Sequence, residues 1–493
     1  EDIIVSAQAQ LHVDIAPDEK IFINGYQTWT YCPEQGRHGF TRGMGKLPKF
    51  VIDKFGIDRY GDYFFVDYPQ TPGVMHGESY CYFRRGGNYR LIASLDERAG
   101  YTLLRYDSRC GVLTISRDCA GVRCGGVFPA LELYYAEGGE DAVFDGWFAA
   151  MGVKSRGAKR LCGYSSWYNR YQNIDAESIT GDLAGCAEHM LRGDLFQIDD
   201  GWEPAVGDWL ETDAKKFPDG LKGTVRDIHG RGFLAGLWLA PFVCQKDSKI
   251  FREHPDWLLL HDGKPWYCGS NWGGFYALDI DNAEFVRYLE QTFSLVLDDW
   301  GFDLVKLDFL YAAAPFGDAR ESRAGRMTRA MELLRRLCGD KLILGCGVPL
   351  MPSFGLVDYC RISCDVGLDW DNSLIMRHTN RERVSTRQAI GNSISRRQLN
   401  GRAFGNDPDV FFLRESNIRL SETDKYKLAV VNSLFGTLFL TSDNMGEYGS
   451  EAAALYERLR TLSERAENIR VDTDNGLTVY YDLEGTEQVL EIE

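Results

Sequence analysis

The pattern of hydrophobic and polar positions changes character twice along the chain. Over residues 1–145, short runs rich in aromatic and β-branched residues, such as Tyr80-Cys81-Tyr82-Phe83 and Val112-Leu113-Thr114-Ile115, are separated by turn clusters such as Arg84-Arg85-Gly86-Gly87-Asn88. That spacing predicts an N-terminal β-sandwich. Residues 141–153 have helical spacing, and 146–160 read as the linker out of the sandwich. From 161 to 445, short apolar runs alternate with longer segments of helical period. The runs cover 161–167, 194–200, 233–242, 304–310, 342–349, 359–365, 403–413 and 436–443, with helical segments such as 176–191, 284–300 and 323–337 between them. Eight strand–helix units predict an α/β architecture, a (β/α)8 barrel. No G-x-G-x-x-G turn follows a strand, which argues against a doubly wound open sheet. Residues 446–493 read as the last barrel helix and a small C-terminal β segment that includes Leu477-Thr478-Val479-Tyr480-Tyr481.

One run breaks the apolar rule. Leu304-Val305-Lys306-Leu307-Asp308-Phe309-Leu310 follows a helical segment and Gly301, and carries two charges on one face of a buried strand. A buried charge needs a partner or a task, so Lys306 and Asp308 form either an internal ion pair or part of a site. Barrel chemistry lies at the C-terminal ends of the strands. Those ends hold Trp167, Asp199 and Asp200, Trp238, Lys306 and Asp308, Cys346, Arg361 and Asp365, Asn406-Asp407-Pro408-Asp409 and Asp443. Two carboxylates in different surroundings are what glycosidic bond cleavage needs. Adjacent Asp199 and Asp200 suit sugar hydroxyls, and Trp238 suits the apolar face of a sugar ring. In the sandwich, the Gly-bounded turn Asn24-Gly25-Tyr26-Gln27-Thr28-Trp29-Thr30-Tyr31 offers Trp29 to a cleft at the domain boundary; packing against the neighbouring domain is the plainer role for its aromatics. An oxygen-rich mouth could also hold Mg²⁺, but Lys306 and Arg361 in the same mouth would repel it, so neither metal nor cofactor is expected.

Composition narrows the partners. The 493 residues are enough for two or three domains. Basic residues number 55 against 72 acidic, a net charge of −17, which argues against nucleic acid and anionic membranes. No apolar stretch approaches a membrane span. Aromatics make up 13% of the chain, which suits stacking on sugars. The 13 cysteines are scattered without a C-x-x-C pair, and the 8 histidines show no zinc pattern. Dispersed, odd-numbered thiols and the lack of a visible secretory signal in Glu1-Asp2-Ile3-Ile4-Val5 predict a cytoplasmic protein. Oligomeric state is not legible from these features.

The segments Phe196-Gln197-Ile198-Asp199-Asp200-Gly201-Trp202, Trp238-Leu239-Ala240-Pro241-Phe242, Lys306-Leu307-Asp308-Phe309-Leu310, Leu344-Gly345-Cys346-Gly347 and Arg361-Ile362-Ser363-Cys364-Asp365 resemble, in order, the barrel motifs of glycoside hydrolase family 36, the α-galactosidase family. The resemblance runs from about Gly163 to Asp443, and the Gly-Tyr-Gln-Thr-Trp turn resembles that family's N-terminal sandwich. It implies a retaining exo-α-galactosidase acting on α-linked galactose of oligosaccharides or glycoconjugates. Asp308 falls on the nucleophile position and Asp365 on the acid/base position, with carboxyls expected roughly 5–5.5 Å apart. Asp199 and Asp200 match binders of the galactose 4- and 6-hydroxyls, Trp238 the wall beside them, and Trp29 a closure from the sandwich. Trp167, Lys306, Cys346 and Arg361 complete the expected substrate-binding set, with Lys306 and Arg361 expected to hold Asp308 ionised. Cys364 stands where members commonly have Pro, and Asp369-Trp370-Asp371-Asn372 is expected on the leaving-group side. The alternatives are α-N-acetylgalactosaminidase or α-galactosaminidase activity, with room beside sugar C2 at small residues such as Gly347 and Ser353, glycosyl transfer, and non-catalytic sugar binding.

Overall fold

The structure is a computed structural model of the chain, and it describes all residues except 1, 45–46, 372–378, 475 and 493. The N-terminal region forms two four-stranded antiparallel sheets. One orders Leu133–Gly139, Asn88–Ser94, Tyr80–Arg85 and Lys20–Ile23; the other orders Ala7–His12, Val112–Arg117, Thr102–Asp107 and Val74–Glu78. Ile21, Ile23, Cys81, Phe83 and Ile92 of the first sheet pack against Leu104, Tyr106, Leu113 and Ile115 of the second. The opposite face of strand Tyr80–Arg85 turns Tyr80 and Tyr82 onto Phe144 of the helix Glu140–Met151, and Trp147 also packs on Tyr80. Burial on both faces explains why residues 80–83 read as a continuous apolar run.

The central sheet is the barrel. Its parallel strands are Leu161–Ser165, Leu195–Ile198, Leu234–Leu239, Leu304–Leu307, Leu342–Gly345, Tyr359–Arg361, a split seventh strand, and Leu438–Thr441. Of the seventh, Gly405–Asp407 pairs with strand six and Val410–Phe411 pairs with strand eight. Pro408, which has no N–H to give a ladder, and Asp409, at φ 74°, separate the two pieces. The barrel closes through this break. Every run is shorter than the sequence pattern suggests, because the apolar pattern continues into buried loops at the mouth, as at Leu310 to Ala314. One consequence is a correction. Asp365 was expected on strand six, but it lies four residues beyond Arg361, where the strand ends.

Between the strands, the helix Ala176–Cys186 starts at a capping box of Asp175 and Ser178. Ala283–Ser294 runs on into a π-helical turn, Leu295–Asp299, and Gly301, at φ 90°, follows it into strand four. Residues 24–31 belong structurally to the barrel mouth. The fully buried Arg396 donates from Nη1 to the carbonyls of Thr28 and Ile362 at 2.6 and 2.9 Å, from Nη2 to Gln27 O at 3.1 Å and from Nε to Asn24 Oδ1 at 3.1 Å. Thr28 N donates to Val348 O at 3.0 Å. A three-stranded antiparallel sheet, Glu467–Asp472, Thr478–Leu483 and Thr486–Glu491, ends the described chain. Among the described residues no helix is long and apolar enough to cross a membrane.

Candidate active site

A cavity of about 600 Å³ opens at the C-terminal ends of the barrel strands, and Trp29, Trp167, Asp199, Asp200, Trp238, Lys306, Asp308 and Asp365 all line it. Cys346 and Arg361 do not. They sit behind the wall, and each acts on a residue that does reach the cavity.

Asp308 follows directly on strand four, and its N–H extends the ladder to Leu239 O at 2.9 Å. The next residue, Phe309, takes a left-handed conformation, φ 53°, a strain of about 1–3 kcal/mol for a non-glycine residue. That turn aims Phe309 N at Asp308 Oδ1, 2.8 Å away, while Trp238 Nε1 donates to Oδ2 at 3.2 Å. Trp238 is therefore more than a sugar wall, since its indole fixes a carboxylate. Burial raises the Asp308 pKa above its ordinary value, against the pull of Lys306, and the neighbouring Asp365 adds to the rise.

Lys306 favours the Asp308 anion, as expected, but its direct partner is another carboxylate. Its ammonium lies 2.9 Å from Asp199 Oδ2, a carboxylate from strand two that also accepts from Gln197 Nε2 at 2.9 Å. Burial alone would lower the Lys306 pKa, but Asp199 and then Asp308 keep it above the ordinary lysine value. Arg361 does not serve Asp308. Its guanidinium reaches Asp365 Oδ1 at 2.7 Å, Asp407 Oδ2 at 3.0 Å and Asp409 Oδ1 at 2.9 Å. A planar fork of five donors can hold three carboxylates at once, so Arg361 anchors Asp365, which has no strand to hold it. The Asp365 side chain is 39% exposed, into the cavity. Its deep position raises its pKa; Arg361 opposes that rise and Asp409 reinforces it.

Asp200 accepts from Gln172 Nε2 and Trp272 Nε1, both at 2.9 Å, on one oxygen. Its other oxygen, Oδ1, is buried without a conventional donor. Glu203 stands beside it, and burial with the Asp200 charge pushes the Glu203 pKa well above its ordinary value, while burial also raises that of Asp200. Trp29 donates from Nε1 to Cys346 Sγ at 3.4 Å and packs edge-on against Phe309 and Tyr311. Cys346 is thus a peg for Trp29 rather than a group that touches a ligand. Gly347, at φ 57°, leaves no room: a Cβ there would lie 2.9 Å from Trp29 Cζ2 and 3.0 Å from Phe309 N.

Sequence reasoning missed Trp272, Gln172, Glu203 and the wall helix Lys49–Phe55. A tryptophan followed by two glycines, Trp272-Gly273-Gly274, was the available signal, and Trp272 has φ 52°. Of the segment expected on the leaving-group side, Asp369, Trp370 and Asp371 stand behind the cavity lining. Asp371 pairs with Arg383 at 2.8 Å and accepts from Ser385 Oγ at 2.8 Å, and Asp369 pairs with Arg419 at 2.6 Å. Asn372 lies outside the described residues.

A closed parallel barrel with carboxylates and indoles around one mouth is the arrangement that glycosidic bond cleavage on a (β/α)8 barrel needs. Residues 158–332 match the Melibiase family model. Over 182 residues the chain is 32% identical to an α-galactosidase of Escherichia coli, covering 35% of this chain and 25% of that one. It is 32% identical over 128 residues to the A type blood α-D-galactosamine galactosaminidase of Flavonifractor plautii, covering 23% and 11%. These sequence matches span a quarter or less of the relatives' length. The solved α-galactosidase TtGalA of Thermus thermophilus, in complex with p-nitrophenyl α-D-galactopyranoside, superposes with a TM-score of 0.77 at 27% identity, over 99% of this chain and 94% of its own. The chain is thus similar, in its barrel motifs and over its whole fold, to α-galactosidases of glycoside hydrolase family 36.

Proposed function

We propose that this protein is a retaining exo-α-galactosidase that removes terminal α-linked galactose from oligosaccharides or glycoconjugates. The observation that carries the reading is the contrast between Asp308 and Asp365 on one cavity wall. Asp308 is held by two N–H donors, which favour its anion. Asp365 is anchored by Arg361 and keeps 39% of its side chain exposed to the cavity, where it can reach a departing oxygen; burial raises the pKa of both carboxyls. In the first step an Asp308 oxygen attacks the anomeric carbon, the glycosidic C–O bond breaks, and Asp365 gives its proton to the departing oxygen. In the second, Asp365 takes a proton from water, whose oxygen displaces the Asp308 ester. Each carboxylate charge raises the pKa of the other, as Asp365 does for Asp308. Forming the ester removes the Asp308 charge and lowers the Asp365 pKa for its second role as base.

The familial alternative, an N-acetylgalactosamine substrate, needs room beside Gly347 or Ser353. Trp29 fills the first position, and Ser353 is buried with Oγ bonded to Leu350 O at 2.5 Å, so galactose is favoured. The 13 cysteines, all free, support placement in a reducing compartment such as the cytoplasm. The test is hydrolysis of p-nitrophenyl α-galactoside and its N-acetylgalactosaminide by the wild type and by Asp308→Ala, with the product anomer followed by NMR. Wild type should cleave the galactoside and release the α-anomer first, and the variant should lose more than about 10³-fold in kcat. Wild-type rates from Asp308→Ala, or initial release of the β-anomer, would sink the reading.

A further inference from the structure

We infer that the leaving-group side of this cavity favours an apolar aglycone, an alkyl or aryl α-galactoside, over a second sugar, which ranks glycoconjugates above oligosaccharides among the proposed substrates. The inference rests on the α-galactosidase reading and extends it to the substrate's other half. At about 600 Å³ the cavity falls in the range of sites for drug-sized ligands, about 300–1,000 Å³, with room beyond one sugar ring. Its inner end carries the charges described above. Its outer part is lined by Leu47, Val51, Phe55 and Ile57 from the sandwich side and by Val384 from the loop after strand six.

The helix Lys49–Phe55 buries none of its residues, although Phe50, Val51, Ile52 and Phe55 are apolar. Val51 and Phe55 stand four apart on one face, and that face fronts the cavity instead of a core. The helix is nonetheless fixed in place. Tyr267 OH donates to Lys54 O at 3.1 Å, and a Cβ on Gly56 would lie 2.8 Å from Gly269 Cα, so the helix end abuts barrel backbone. Phe55 and Val384 keep 42% and 41% of their surface exposed. Such surface gains from contact with an apolar ligand. Val384 also marks the side from which the leaving group departs, because the next residue, Ser385, donates from N to Asp365 O at 3.0 Å. Several polar residues in the same wall are already engaged within the protein. Asn271 Oδ1 accepts from Tyr60 OH at 2.6 Å, Glu382 accepts from Thr30 and Tyr63 hydroxyls at 2.7 Å each, and Arg383 pairs with Asp371.

The test is kcat/KM for methyl, butyl and octyl α-galactosides, whose leaving alkoxides have similar basicity, alongside melibiose and raffinose. The octyl glycoside should exceed the methyl by about tenfold or more, since each buried methylene adds roughly three- to fourfold, and should exceed both oligosaccharides. In Val51→Asp/Phe55→Asp the octyl-to-methyl ratio should fall toward one. Phe50→Asp, at a side chain 73% exposed and outside the cavity, should leave that ratio unchanged and so controls for general destabilisation. A flat alkyl series, or a preference for raffinose with the methyl glycoside still cleaved, overturns this inference alone. No turnover of any α-galactoside overturns the galactosidase reading with it.

Discussion

At the residue scale, the site's charges are legible in the sequence but their partners are not. Lys306 and Asp308 stand out as charges in an apolar strand, yet the carboxylate that takes the ammonium, Asp199, is 107 positions away. Spacing within a strand cannot reveal a contact made across the barrel. Glu203 was invisible for a different reason: it stands beside a buried oxygen of Asp200 that has no conventional donor. The Asp308 site also carries a stability cost that can be measured. Its folded pKa is raised above the unfolded value of about 3.9, so the native state binds that proton more tightly. Stability from this group therefore falls as pH rises from the unfolded pKa through the folded one, and the penalty is complete above it. Asp308→Asn removes the charge while keeping an acceptor for Phe309 N. The variant should be inactive but melt higher than wild type at pH 7, by about 2 °C, with the difference shrinking as pH approaches 4. Calorimetry at both pH values decides this; an equal or lower Tm at pH 7 refutes it.

At the scale of elements, apolar runs located all eight strands, because parallel strands buried on both faces are apolar throughout. They misjudged the ends for the same reason: loops packed into the mouth are apolar as well. Strand seven's division had a sequence signal in Pro408, which cannot sit inside a paired central strand. The helix Lys49–Phe55 had none, because its apolar residues face a cavity and not a core. The loop after strand five shows how one element sets another. Gly347 has a left-handed backbone and no space for a Cβ beside Trp29. Gly347→Ala should cost about 1–2 kcal/mol from the backbone alone and push Trp29 off Cys346. The expected outcome is a lower Tm together with a kcat/KM on p-nitrophenyl α-galactoside reduced about tenfold. Unchanged kinetics would show that Trp29 does not help form the site.

At the scale of the whole molecule, the N-terminal region lines part of the candidate active site through Trp29, so the joint between sandwich and barrel bears on the proposed function. Its centre is Arg396, fully buried, with four hydrogen bonds to neutral acceptors of which three lie in residues 24–28 and one on Ile362. A buried cation without a carboxylate partner is expensive, and here its desolvation is offset by charge-assisted bonds that cross the joint. Ile362 lies between Arg361 and Asp365 in the chain, so the same guanidinium steadies the Trp29 turn and the loop that carries Asp365. Removing it should loosen both together. Arg396→Met fills similar volume but leaves acceptors such as Thr28 O and Gln27 O without a donor, at about 1–3 kcal/mol for each one that water cannot reach. A single cooperative melting transition in the wild type should therefore broaden or split in Arg396→Met, with the sandwich and barrel separating in scanning calorimetry. The kcat/KM of the variant should fall even though no residue touching the substrate has changed. If Arg396→Met instead melts in one step at the wild-type temperature and keeps full activity, the two units are coupled by their other contacts, and the guanidinium is not what joins them.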